Sequence, residues 1–83
     1  MDTKKTTPIL FSNERTKLLA IRISQLERGA KTKITENDIP DESYIPRNIA
    51  IKELELDLIP MKIVRILPDG TKEYWKTDEF EFK

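Results

Sequence analysis

The stretch from Leu10 to Ala30, LFSNERTKLLAIRISQLERGA, constrains the fold more than any other part of the chain. It predicts a helix over residues 13–28, about four turns with no Gly or Pro in its body. Ser12 suits the N-cap, Glu14 suits the electropositive first turn, and Leu10 or Phe11 can staple the entry. Arg28 suits the last turn, and Gly29 can take the left-handed backbone that closes a helix. On the helical wheel Leu19, Ile23 and Leu26 form one apolar stripe. Leu18 and Ile21 form a second, flanked by Glu14 and Gln25, while Lys17, Ser24 and Arg28 hold the remaining side. A helix on the surface of a monomer needs only one such stripe. Either this helix lies deep in its own domain, or one stripe packs at home and the other docks on a partner. A short chain buries a modest share of its surface, which gives the second reading its force.

At 83 residues the chain makes one small domain, whose core rarely supplies more than about 3–5 kcal/mol unaided. It has neither Cys nor His, which excludes disulfides, thiol nucleophiles and ordinary zinc sites. The formal charge is zero, from 15 basic and 15 acidic residues, so no global field draws the chain to nucleic acid. No apolar run approaches membrane-spanning length, and Met1–Thr7 is too polar for a signal peptide. The composition fits an intracellular protein.

Residues 1–11 read as a flexible arm ahead of a single domain at 12–83. Lys4 and Lys5 could touch phosphate, but two lysines are weak evidence and a solvated tail is the simpler reading. Residues 29–45 are a turn-rich loop in which Asp38, Asp41 and Glu42 cluster. Paired carboxylates can do acid–base work, but no partner base or pocket-forming residues accompany these, so a solvated loop is the simpler reading. A second helix is expected over 46–58, with Pro46 at its first position and Ala50, Ile51, Leu54 and Leu58 on its apolar face. Leu54, Leu56 and Leu58 also alternate, which leaves a strand open for that segment. Met61–Leu67 reads as a strand with apolar residues on both faces, implying cover on both sides. Pro68-Asp69-Gly70 reads as a type I turn closed by a left-handed Gly, and Lys72–Lys76 returns as the second strand of a hairpin at 61–76. In the tail, 77–83, Phe80 and Phe82 must pack at home or on a partner.

Three blocks of this chain, in order, resemble the omega family of multisubunit RNA polymerases: omega in bacteria, subunit K in archaea, and the sixth subunit shared by the eukaryotic polymerases. The family helix runs roughly E-[KR]-A-R-[IL]-[LV]-[GA]-x-R-A-x-Q-[IL]-x-x-G-A. Glu14, Arg15, Leu18, Leu19, Ala20, Arg22, Gln25, Leu26, Gly29 and Ala30 stand where it asks, while Thr16, Lys17 and Ile23 depart from it. Pro46, Ile49, Ala50, Glu53 and Leu54 match a second block, D-P-x-x-I-A-x-x-E-L, and this resemblance decides for helix over strand. Ile45 replaces its capping Asp, so the first turn is expected to fray or find another cap. The block IPMKIVRILPDGTKEYW resembles I-P-x-x-I-R-R-x-L-P-D-G-x-x-E-x-W, with Val64 at the first family arginine and Arg65 at the second. Lys31 stands where the family loop usually has Pro, and that loop is shorter in the family. The eukaryotic branch carries a long acidic tail ahead of the first helix; its absence here points to an archaeal-like or viral member.

The resemblance implies a small α+β fold, helix-dominated, with two helices followed by a C-terminal β-hairpin. It implies a non-catalytic subunit that latches onto the largest RNA polymerase subunit, contacts other polymerase subunits and promotes assembly. The expected partner-binding residues are Glu14, Leu18, Ile21, Arg22, Gln25, Arg65 and Trp75. In this reading Arg22 offers its planar fork to a carboxylate or to backbone carbonyls of the largest subunit, and Gln25 satisfies main-chain groups beside it. No catalytic residue, cofactor or metal, no sequence-specific nucleic-acid contact and no membrane partner is expected. The expected location is the cytoplasm or nucleus of the host, or a virion for a viral member. A transcription regulator that mimics the subunit's docking surface is the competing reading.

Overall fold

A computed structural model describes residues 6–81. Helix α1 spans Ser12–Glu27 and helix α2 spans Pro46–Glu55; strands β1, Lys62–Ile66, and β2, Lys72–Lys76, form an antiparallel hairpin. The two helices pack on each other, and the chain is a small α+β fold of two helices followed by a hairpin.

Helix α1 starts one residue early. Phe11 is the N-cap, and the Glu14 carboxylate caps the end by accepting from the Phe11 N–H at 3.1 Å. Ser12, expected to cap, is the first helical residue instead. At the other end Arg28 is the C-cap and lies beyond the last turn, and Gly29 takes a φ of 95°. Gly29 N–H donates to Leu26 O and Ala30 N–H to Gln25 O, the paired bonds of a Schellman close. Helix α2 uses the same device. Asp57 adopts a φ of 58°, Asp57 N–H donates to Leu54 O, and Leu58 N–H donates to Glu53 O. The expected end at residue 58 is therefore too late: the left-handed Asp57, and not Pro60, stops the helix. At its start Ile45 makes no side-chain cap; Pro46 holds the first position, and the Asn48 amide donates to Ser43 O just upstream.

The main core gathers Leu10, Leu18, Leu19, Ala50, Leu54, Ile59, Trp75 and Phe80, with Ile23, Leu26, Ile51, Met61 and Ile63 packed at its edge. Phe80 stacks on Trp75 with ring centroids 4.9 Å apart. Leu10 belongs to this core, and Glu81 N–H donates to Pro8 O. A flexible arm through residue 11 is thus not what the structure has from Thr6 onward; Lys4 and Lys5 lie outside the described residues, as does Phe82. A second, smaller cluster of Ile34, Ile39 and Ile49, backed by Leu26 and Leu58, anchors the connector between the helices. Tyr44 donates its hydroxyl hydrogen to Ile34 O at 2.6 Å, and Asp38 caps a short 3-10 turn at Glu36–Asp38 through the Thr35 N–H.

The hairpin register pairs Ile63 with Trp75, Val64 with Tyr74 and Arg65 with Glu73. Leu67 O accepts from Gly70 N–H, and Gly70 has a φ of 89°, as the Pro-Asp-Gly turn chemistry anticipates. Asp69 fixes the turn by accepting from both the N–H and the hydroxyl of Thr71, which lowers its pKa from the ordinary carboxylate value. The outer face of β1 differs from expectation. Val64 and Ile66 are exposed, so this chain covers the strand on one side only.

Candidate functional site

The residues singled out from sequence fall around two buried arginines. On α1, Arg22 projects toward α2, where Glu53 follows Ala50 by three positions and Ile49 by four and so shares their inward side. Arg22 Nε donates to Glu53 Oε1 at 2.7 Å and Nη2 to Glu53 Oε2 at 2.8 Å. Its remaining donors reach Lys31 O and Gln25 Oε1, and the Thr32 hydroxyl completes the Glu53 carboxylate. Arg22 and Glu53 are 3% and 1% exposed, so a buried charge pair ties the two helices and the first residues of the connector. The hydrogen bonds from Glu53 push the Arg22 pKa up, against the opposing effect of desolvation. The planar fork does meet a carboxylate and a backbone carbonyl, but both belong to this chain.

Arg65 is the second centre. Its Nε and one Nη2 hydrogen take the two Glu14 oxygens at 2.8 and 2.7 Å, and the other Nη2 hydrogen reaches Ile9 O. Nη1 donates to Thr6 Oγ1 and Thr7 O, so all five guanidinium hydrogens are engaged. The rings of Phe11, Trp75 and Phe80 lie within 5.5 Å of its central carbon. Arg65 thereby joins the hairpin, the start of α1 and the segment before it. Its hydrogen bonds hold the Glu14 carboxyl below its ordinary value, against burial and with help from the Phe11 N–H. The Trp75 indole N–H donates to Thr6 Oγ1 and Glu73 Oε1.

The geometry places the seven expected contact residues in different surroundings. Leu18, Arg22, Arg65 and Trp75 are 3–9% exposed and belong to the core or to ion pairs inside the chain, so they form no open docking surface. Glu14 is partly exposed but bound to Arg65, and the partly buried Gln25 accepts from Arg22 while its amide nitrogen approaches Met61 Sδ. Ile21 alone of the seven is exposed, at 54%. The second stripe on α1 is therefore split: Leu18 turns into the core and Ile21 faces out. Sequence reasoning missed Glu53 as the partner of Arg22, although a carboxylate among the apolar positions of α2 was the available signal. Thr6, part of the arm in the sequence reading, is a second such residue.

Among the described residues no group of three or more His, Cys, Asp or Glu is arranged to hold a metal. No helix there is long and apolar enough to cross a membrane. Asp38, Asp41 and Glu42 line an open cavity of about 210 Å³ with Asn48, Lys52 and Glu55, and Asp38 is already committed to its turn.

No family model matches the chain. Individual relatives do. It is 37% identical over 76 residues to the probable subunit RPABC2 of DNA-directed RNA polymerases I, II and III from Caenorhabditis elegans, covering 92% of this chain and 53% of that protein. The corresponding subunit of Saccharomyces cerevisiae is 37% identical over 78 residues, covering 94% of this chain and 48% of that one. The chain thus spans about half the length of these eukaryotic relatives. DNA-directed RNA polymerase subunit Rpo6 of Thermofilum pendens is 40% identical over 63 residues, covering 76% of this chain and 74% of that protein. With α1, α2 and the hairpin in the expected order, the chain belongs to the family of RNA polymerase subunits that comprises bacterial omega, archaeal subunit K and the common sixth subunit of the eukaryotic polymerases.

Proposed function

We propose that the chain is a non-catalytic subunit of a DNA-directed RNA polymerase, which latches onto the largest subunit and promotes assembly and stability of the transcription complex. The observation that carries this reading is the 40% identity to the Rpo6 polymerase subunit across most of both chains. A subunit that works by docking needs a fixed frame and an exposed contact, and no reactive centre. The Arg22–Glu53 and Arg65–Glu14 pairs supply the frame. We assign the contact with the largest subunit to the α1 surface around Ile21, with Gln25 and Glu14 on the same helix. Leu18, Arg22, Arg65 and Trp75 act beneath it by holding α1 in place. The polymerase chemistry and its metal then belong to the large subunits, and the chain works wherever its polymerase does, inside a cell or a virion.

The test is purification of the polymerase from cells that make a tagged largest subunit. The expected result is active enzyme carrying this chain at one copy per largest subunit. Recovery of active enzyme without it overturns the proposal. A regulator that mimics the docking surface gives a third pattern, substoichiometric recovery that exchanges with a resident subunit.

A further inference from the structure

The outer face of the hairpin combines exposed apolar side chains with basic ones. Strand alternation puts Lys62, Val64 and Ile66 of β1 and Lys72, Tyr74 and Lys76 of β2 on this face. Val64 is 48% exposed, Ile66 70% and Tyr74 52%. Phe11, 49% exposed, continues the surface across a shallow groove of about 390 Å³ that it lines with Val64, Ile66, Thr6, Asn13 and the paired Glu14 and Arg65. None of the six outward strand positions carries a carboxylate, although the whole chain has 15 acidic and 15 basic residues. Lys62 and Lys76 stand directly opposite each other in the register. Like charges opposed across a strand pair destabilise it, so the hairpin gains when an external anion comes between them.

We propose that this face docks an acidic segment of another polypeptide, one that also carries apolar side chains. The inference rests on the polymerase-subunit reading, which makes that polypeptide another subunit of the same assembly. Val64, Ile66 and the Phe11 groove bury the segment's apolar side chains. The stems of Lys62, Lys72 and Lys76 extend that apolar cover while their ammonium groups meet its carboxylates. A nucleic acid fits less well. Tyr74 and Phe11 could stack on a base, but Val64 and Ile66 at the centre of the face could not, and the outward strand positions contain no Arg.

Photo-crosslinking in the assembled polymerase tests this, with p-benzoylphenylalanine placed at position 66 of the full chain. The expected result is an adduct from position 66 to a peptide rich in Asp and Glu within another subunit. In a chain that also carries Lys62→Glu, Lys72→Glu and Lys76→Glu, the yield of that adduct falls at least about tenfold. The melting temperature of the triple variant stays close to that of the parent, because its side chains are exposed and the opposed pair remains like-charged. An adduct to nucleic acid, to lipid or to a neutral or basic peptide overturns the inference. So does the absence of any adduct from position 66 in a polymerase that retains the chain, and in that case the polymerase-subunit reading stands. A polymerase that does not retain the chain overturns both.

Discussion

Arg22 and Glu53 meet edge to edge, through bonds of 2.7 and 2.8 Å, with side chains only 4% and 1% exposed. Two helices, the Lys31 carbonyl and the Thr32 hydroxyl converge on this pair. Removing one partner strands a charge in the interior. Arg22→Ala should destabilise the free chain by about 3–5 kcal/mol, the range for an uncompensated buried ion. Replacing both, with Arg22→Met and Glu53→Leu, should recover most or all of that loss, since an apolar pair avoids the desolvation of two charges. Urea denaturation of the two variants and the parent separates these outcomes. A single variant within about 0.5 kcal/mol of the parent contradicts the structural role.

The Glu14–Arg65 pair predicts a pH dependence. In the unfolded chain Glu14 has its ordinary pKa of 4.5, and folding lowers it, chiefly through the hydrogen bonds from Arg65. The folded state therefore gains from ionised Glu14 at all pH values above 4.5, and the gain shrinks as pH falls toward the lower folded value. The stability gap between the parent and Glu14→Gln should accordingly be widest near neutrality and close progressively below about pH 4.5. Melting temperatures over a pH series measure it. A gap that is constant with pH assigns the effect of the substitution to lost packing or capping.

Gly29 tests backbone strain free of steric conflict. A Cβ added there meets nothing within 4 Å, yet its φ is 95°. Gly29→Ala should cost about 1–2 kcal/mol, through the left-handed conformation alone. Gly29→Asn should cost less, because Asn tolerates that region better. Equal stability of parent and Ala variant in denaturant titrations excludes the strain.

Local signals carried much of this fold. The 3.6-residue spacing of Leu19, Ile23 and Leu26, the Gly29 stop, Pro46 at a helix start and the Pro68-Asp69-Gly70 turn each depend on neighbours in sequence, and each reads correctly. What escaped depends on distant residues. The end of α2 is set by Asp57, a residue type that enters the left-handed region at little cost but does not announce it. Residues 6–11 carry no local signal for a helix or strand until Arg65, some 56–59 positions away, supplies donors for the Thr6 hydroxyl and the Thr7 and Ile9 carbonyls. The surroundings of the candidate site depend on distant residues in the same way. A wheel shows that Leu18 and Arg22 share a side of α1, but only the tertiary partners decide whether that side faces a neighbour within the chain. Here Glu53 and the Trp75–Phe80 stack lie within the chain, and Ile21 is what remains outside.

Ile21 and Leu19 therefore separate docking from folding on one helix. Leu19 is 8% exposed and part of the main core; Ile21, two residues on, is 54% exposed. Leu19→Ala should cost about 2–5 kcal/mol, as truncation of a buried Leu does, and any loss of capture by the largest subunit should track the unfolded fraction. Ile21→Ser removes an exposed side chain and should leave stability within about 0.5 kcal/mol. If α1 docks through Ile21, that variant should nevertheless weaken capture at least about tenfold, equivalent to roughly 1.4 kcal/mol of lost apolar contact. The measurement is a titration of immobilised largest subunit with each variant, run beside a denaturant melt of the same preparation. Undiminished capture by a folded Ile21→Ser chain moves the contact off this part of α1, and capture lost only where the chain unfolds reduces Ile21 to a solvent-facing residue with no role in docking.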